Sequence, residues 1–228
     1  MKILAVSDIH QSMAPHHGKD ESDNFSRFLM VIEQEKPDLV LICGDTENIT
    51  EYSIEELDKA NTLIILGNHD ISNIITDSGM FLDCVAERGG VTIAGISGIV
   101  TRHKPDNNLK FSKEDIMLKA SKIKQRLKEL NAPLDILITH EMPKINSGFA
   151  DNFYNTRSSA VFGDALYMLK PKLAISGHLH GNKTLITKYE HGTLINLGAF
   201  TDGHYAIINV KDSRFEIDNI ISVKILTL

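Results

Sequence analysis

Nine polar side chains, each set just after an apolar run, carry the chemistry this chain offers: Asp8 and His10 in Asp-Ile-His, Asp45 in Gly-Asp, Asn68, His69 and Asp70 in Gly-Asn-His-Asp, His140, and His178 and His180 in Gly-His-Leu-His. Together they supply three carboxylates, one amide and five imidazoles. Carboxylate oxygen and imidazole nitrogen are the donors that hard and borderline divalent metals take. Two such ions roughly 3.5–4 Å apart clamp both the attacking and the leaving oxygen of a displacement at phosphorus. The set is large enough to hold two ions and still leave one His–Asp pair for proton transfer. Asp8 and His10 are separated by one residue, as are His178 and His180. If the chain stays extended there, alternation puts each pair on one side, where it can grip one ion. The other intervals run from 23 residues (45 to 68) to 72 residues (68 to 140), so these groups converge in space and not in sequence.

The elements that must position them are legible as well. Ile3–Val6, Leu39–Cys43 and Thr62–Leu66 read as buried strands, with a helix over Asn24–Lys36 stopped by Pro37 and a short helix opened by a capping box at Ser53-Ile54-Glu55-Glu56. This β-α-β-α-β rhythm implies parallel strands with crossover helices, and functional loops then lie beyond the strands' carboxyl ends. Asp8, Asp45 and Asn68 fall at that end, one after each strand. A weaker helix is expected around Gly79–Arg88, followed by short apolar runs Val91–Ala94 and Ile96–Val100 interrupted at Gly95 and Gly98. Ser112–Leu130 is the clearest amphipathic helix. Ile136–Thr139 and Leu173–Ser176 are strands ending at His140 and at the Gly-His-Leu-His turn, with a helix over Ala160–Leu169 between them. The remainder alternates as short strands, Thr184–Thr187, Leu194–Asn196, Tyr205–Val210, Phe215–Ile221 and Val223–Leu226, expected to extend a second sheet. No repeat or linker divides the chain, so one domain over residues 1–228 is expected.

Composition narrows the function classes. With 228 residues, 42% hydrophobic and 24% charged, the chain is an ordinary globular one with room for a sizeable core. A net charge of −6 argues against nonspecific grip on nucleic acid, which needs a basic face. Nucleic acid is therefore expected at most as a nucleotide-type substrate. A small phosphorylated substrate stays compatible, because bound metals invert the local charge. Cys43 and Cys84 have no metal-type spacing and read as ordinary small residues of a reducing compartment. The apolar start before Asp8 is too short for a signal peptide and no run is long enough for a membrane span, so a cytoplasmic protein without membrane partners is expected.

Taken in order, Asp-x-His, Gly-Asp, Gly-Asn-His-Asp, a strand-terminal His and Gly-His-x-His resemble the calcineurin-like metallophosphoesterase superfamily, from Ile3 to about Gly198. The resemblance implies a four-layer αββα sandwich, two mixed β-sheets flanked by helices, with a dimetal site at one end of the sheets. It assigns Asp8, His10, Asp45 and His180 to a first metal and Asp45, Asn68, His140 and His178 to a second, with Asp45 as the bridge. It makes His69 the general acid, oriented by Asp70. The cofactors would be two divalent ions; manganese, iron, nickel, zinc and cobalt all suit such donors. The implied reaction is hydrolysis of a phosphodiester or phosphomonoester, by in-line attack of a hydroxide held between the metals.

The protein phosphatase branch is disfavoured, because Gly44-Asp45-Thr46-Glu47-Asn48-Ile49 lacks the phosphate-clamping arginine of that branch. The compact Gly177-His178-Leu179-His180 is more similar to the cyclic-nucleotide phosphodiesterase and nuclease branches. Two alternatives stay open: a nuclease of the same superfamily, and a non-catalytic scaffold such as the phosphoesterase-fold subunit of retromer. The complete ligand set speaks against the scaffold. Each group alone also has a structural reading; Asp8, Asn68 and Asp70 suit turns, and a lone His140 suits a satisfied core. Among the loop residues His16, His17, Arg102, His103, Asn146 and Arg157, the best candidates for substrate contact are His103 and Arg157, while His191 and His204 read as structural or exposed. The apolar tail Val223–Leu228 can close a sheet or pair with a second subunit, leaving a homo-oligomer open.

Overall fold

A computed structural model of the chain describes residues 1–11, 21–70, 72–101, 109–145, 156–180, 185–211 and 214–222. In chain order the elements are β1 (Lys2–Val6), α1 (Asn24–Glu35), β2 (Leu39–Cys43), α2 (Glu51–Lys59), β3 (Thr62–Ile65), α3 (Ser72–Thr76), β4 (Val85–Arg88), β5 (Val91–Ile96), β6 (Ile99–Val100), β7 (Lys110–Phe111), α4 (Lys113–Leu130), β8 (Ile136–Thr139), α5 (Arg157–Leu169), β9 (Leu173–Ser176), β10 (Leu185–Tyr189), β11 (Gly192–Asn196), β12 (His204–Lys211) and β13 (Arg214–Ser222).

Two mixed sheets result. The first has the order β13-β12-β1-β2-β3 and the second β10-β11-β9-β8-β5-β4. β1, β2 and β3 run parallel, as do β5, β8, β9 and β11. Their strands are apolar on both faces because both faces are covered. Ile3, Ala5, Leu41, Ile65, Ile93, Ile138, Ile175 and Ile195 meet between the sheets. The alternate residues Leu4, Val6, Val40, Ile42 and Ile64 pack outward on Phe25 and Phe28 of α1 and Leu57 of α2. On the other side Ala94, Leu137 and Ala174 pack on Ile116, Ala120 and Ile123 of α4 and Phe162, Ala165 and Leu166 of α5. Three apolar layers between four layers of structure make the αββα sandwich. No helix among the described residues is long and apolar enough to cross a membrane.

Several local expectations are corrected. Gly79–Arg88 is not a helix: α3 is shorter and earlier, and Val85–Arg88 pairs antiparallel with Val91–Ala94. Gly89 and Gly90, both at positive φ (55° and 77°), join them as a two-residue hairpin, which the Gly-Gly pair encodes. β5 passes unbroken through Gly95, where a Cβ would press on the Leu82 carbonyl, so the glycine marks a close backbone approach and not an interruption. The cap of α2 is Thr50, paired reciprocally with Ser53, rather than Ser53 with Glu56. β12 and β13 join the first sheet, β12 antiparallel to β1, so the tail completes both sheets rather than the second alone. Thr184 and Val223–Leu226 lie outside the described residues.

Candidate metal centre

The carboxyl ends of β1, β2, β3, β8 and β9 meet at one edge of the sandwich, and all nine residues lie in the turns that leave them. These turns are not extended. Asp8 (φ 56°), His10 (φ 49°), Asp45 (φ 56°), Glu47 (φ 60°) and His178 (φ 69°) all sit in the left-handed region. Such a backbone costs a residue with a side chain about 1–2 kcal/mol, and strain of this kind gathers at functional sites. So Asp8 and His10 share a side because two left-handed kinks return the chain, not because a strand alternates. The first two turns zip together beyond their strands, with backbone N–H of Asp8, His10 and Gln11 donating to the carbonyls of Gly44, Asp45 and Thr46 at 3.0, 3.0 and 3.1 Å.

Two groups of donor atoms face each other across the seam. Asp8, His10 and His180 form one and Asp45, His140 and His178 the other, the ligating atoms within each lying inside 4.8 Å. In the first, His10 Nε2 and His180 Nε2 stand 2.9 Å apart, and His180 Nε2 lies 3.1 Å from Asp8 Oδ1. In the second, His140 Nε2 lies 3.2 Å from Asp45 Oδ2, 3.1 Å from Asn68 Oδ1 and 3.2 Å from His178 Nδ1.

Outer contacts fix which ring atom faces inward. His140 Nδ1 is 2.8 Å from the Cys43 carbonyl, which can only accept, so the Nδ1–H is committed there and Nε2 presents its lone pair to the cluster. His10 Nδ1 is held the same way by Glu47 Oε1 at 2.8 Å. Ring nitrogens and carboxylate oxygens packed this closely share a proton or a cation, and the residues present fit a divalent ion in each group. The glycines of the motifs serve the same packing. A Cβ at Gly67 would overlap the Asp45 carboxylate, and one at Gly177 would overlap Ser7 and Asp8 Oδ2.

Without a metal, protons take that place. Burial opposes charge on His140, but the buried Asp45 carboxylate beside it lifts its pKa to about 10. Burial, with the His140 charge next to it, pushes His178 down to about 4. Between the ordinary histidine value of 6.5 and about 10, the folded chain keeps a His140 proton that the unfolded chain has released, so stability falls as pH rises through that window. Below 6.5 the sign reverses at His178, whose contribution is lost as pH falls towards about 4. Scanning calorimetry of the metal-free chain is expected to show Tm declining from pH 7 to 10, and divalent metal to flatten that decline by replacing the proton. A Tm that is flat or rising across pH 7–10 without metal contradicts it.

Asp70, which the resemblance makes the residue that orients His69, has a different set of partners. Its buried carboxylate accepts hydrogen bonds from the backbone N–H of Asp45 (2.8 Å), Thr46 (2.7 Å), Glu47 (2.8 Å) and Gly67 (2.8 Å) and from the Thr46 hydroxyl (2.7 Å). Burial and the Asp45 charge raise its pKa, against the pull of these donors. A carboxylate approaching His69 is instead that of Glu47, with Oε1 at 3.8 Å from Nδ1. The His69 side chain is 49% exposed, and its backbone N–H donates to Asp45 Oδ1 at 2.9 Å.

Sequence reasoning misses Glu47 and the Cys43 carbonyl; the first offers only an acidic residue two beyond Asp45, and the second offers no signal. Arg157 opens α5 and is exposed. His16, His17, Arg102, His103 and Asn146 lie outside the described residues.

A family model described as calcineurin-like phosphoesterase matches residues 1–182. The chain belongs to the calcineurin-like phosphoesterases. The two groups of metal-type donors are in keeping with that membership. Among curated proteins, this calcineurin-like chain is similar to lariat debranching enzyme of Homo sapiens, at 27% identity over 222 residues covering 72% of the chain and 40% of that protein. It is likewise similar to lariat debranching enzyme A of Xenopus laevis, at 25% identity over 219 residues covering 72% of the chain and 41% of that protein. The chain thus spans about 40% of the length of these curated relatives. A crystal structure of a Thermus thermophilus protein shares the fold, with a TM-score of 0.68 at 16% identity over 96% of this chain and 98% of that one.

Proposed function

We propose that this calcineurin-like phosphoesterase hydrolyses a phosphodiester at a two-metal centre. The observation that carries the reading is the convergence of carboxylate and imidazole donor atoms in two groups at one edge of the sandwich. In this reading Asp8, His10 and His180 hold one ion, Asn68, His140 and His178 the other, and Asp45 serves both. Bound there, two divalent ions of manganese, iron, nickel, zinc or cobalt would supply the positive charge that phosphoryl oxygens and an attacking water require.

The protein's own part is proton delivery and positioning. His69 stands half exposed beside the groups, its ring 5.7 Å from that of His10 and at 76° to it. With Nδ1 towards Glu47, Nε2 is the atom that gives its proton to the departing alkoxide. His69→Ala is expected to keep both metals and to slow hydrolysis of an alkyl ester by about two to four orders of magnitude. The loss should shrink for nitrophenyl esters, whose leaving groups need no proton. Equal losses on both classes would remove the assignment.

The diester is preferred to a monoester because the relatives named above are called debranching enzymes. A branched nucleic acid is the second reading, favoured by the same names and opposed by the net charge of −6. Rates on bis-p-nitrophenyl phosphate and p-nitrophenyl phosphate test the preference. Faster diester hydrolysis supports it, and a monoester preference overturns it.

A further inference from the structure

Among the described residues of the calcineurin-like centre, the Glu47 carboxylate belongs to neither donor group and yet stands beside a histidine of the first group and near His69. Glu47 Oε1 lies 2.8 Å from His10 Nδ1 and 3.8 Å from His69 Nδ1. Its side chain is 11% exposed and His10 only 3%, so the shorter contact is closed off from solvent. The backbone is built to deliver it. Glu47 takes a left-handed φ of 60°, its N–H is tied to Asp70 Oδ1 at 2.8 Å, and it bridges in parallel to Gln11 beside His10. No glycine or asparagine stands at this kink to make it easy; a glutamate is bent into it, and its carboxylate then reaches both rings.

We infer that Glu47 is a positioning residue shared by the first metal group and the proton donor. By accepting from His10 Nδ1, it leaves Nε2 facing Asp8 and His180 as a metal ligand. A carboxylate outside the ligand shell usually fixes ring orientation and raises ligand basicity in this way. By standing near His69 Nδ1, the same oxygen turns Nε2 of that ring towards a leaving group. One carboxylate oxygen thus ties metal binding at Asp8, His10 and His180 to the delivery of a proton. The inference rests on the phosphoesterase reading, but its first half is measurable without substrate.

The test is a calorimetric titration of metal-stripped chain with Mn²⁺, for wild type, Glu47→Ala and Glu47→Gln, alongside rates on an alkyl and a nitrophenyl diester. Glu47→Ala is expected to weaken one of two metal sites by about 10–100-fold and leave the other unchanged, as for loss of an outer-shell partner. Its rate loss at saturating metal should be larger for the alkyl ester than for the nitrophenyl ester, with KM little altered. Glu47→Gln keeps an oxygen that can accept from Nδ1–H and should recover most of the metal affinity, which a merely misfolded variant would not. Two sites of wild-type affinity in Glu47→Ala, with unchanged leaving-group dependence, overturn the inference. A wild-type chain that binds two ions but hydrolyses neither ester contradicts the phosphoesterase reading, while the metal affinities still decide the role of Glu47 towards His10.

Discussion

Asp45→Asn is expected to strip the centre of metal and to lower kcat/KM on a phosphodiester by about three orders of magnitude or more, the scale set by several kcal/mol of lost metal charge stabilisation. Three observations put Asp45 at the middle of the account. It is 1% exposed, its Oδ2 faces His140 Nε2 at 3.2 Å, and its Oδ1 accepts from the His69 backbone at 2.9 Å. Although burial opposes its charge, the imidazole of His140 holds its pKa below the usual carboxylate value, so a charge resides there at any pH of interest. Asparagine matches its shape, removes the charge, and places an NH2 group among donors on at least one side. The variant also loses the buried Asp45–His140 charge pair, so its Tm should fall below that of metal-free wild type. Metal analysis of the purified variant is the check. Two ions retained per chain with wild-type affinity would show that Asp45 does not serve both sites.

Asp70→Ala is expected to act through stability, not through proton transfer. The side chain is 5% exposed and terminates backbone donors from Asp45, Thr46, Glu47 and Gly67. Those donors hold two consecutive turns, including the left-handed residues Asp45 and Glu47. Removing one partner from a buried charged network costs about 3–5 kcal/mol. For a chain of this size each kcal/mol lowers Tm by roughly 2–4 °C, so a loss of about 6–20 °C follows. The displaced turn should also weaken metal binding, because Asp45 rides on it. If Asp70 only oriented His69, its removal would leave Tm and metal content unchanged and would reproduce the leaving-group dependence of His69→Ala. Thermal unfolding and metal content of the same preparation separate the two accounts.

Much of this is legible in the sequence because the informative residues lie where secondary structure ends. Apolar runs of strand length mark β1, β2, β8 and β9, and the polar residue after each run names the edge where the groups meet. The two-sheet arrangement follows from the resemblance rather than from periodicity. A pattern of apolar residues says that β12 is a strand but not that it returns to lie antiparallel beside β1. The hairpin at Gly89-Gly90 is readable from its turn residues, but Val85-Ala86-Glu87-Arg88 is as compatible with a helix as with a strand, and tertiary pairing decides it. The backbone of the site is not readable. Left-handed kinks at Asp8, His10, Asp45, Glu47 and His178 occupy positions where no glycine announces them. They are imposed by the hydrogen bonds between the turns, which no local rule supplies. For that reason the resemblance pairs Asp70 with His69, although Asp70 clamps the loop 25 residues away at Asp45. For the same reason nothing in the sequence singles out Glu47, although it stands between two of the histidines.

The most direct measurement is the number of metal ions per chain set against activity. Chelator-stripped protein, titrated with Mn²⁺ and assayed on bis-p-nitrophenyl phosphate at each step, should be inactive at first. It should bind two ions per chain and reach full hydrolysis only as the second site fills. Full activity in the stripped chain, or saturation of activity at one ion, would contradict a two-metal phosphodiesterase built from the Asp8–His10–His180 and Asp45–His140–His178 groups.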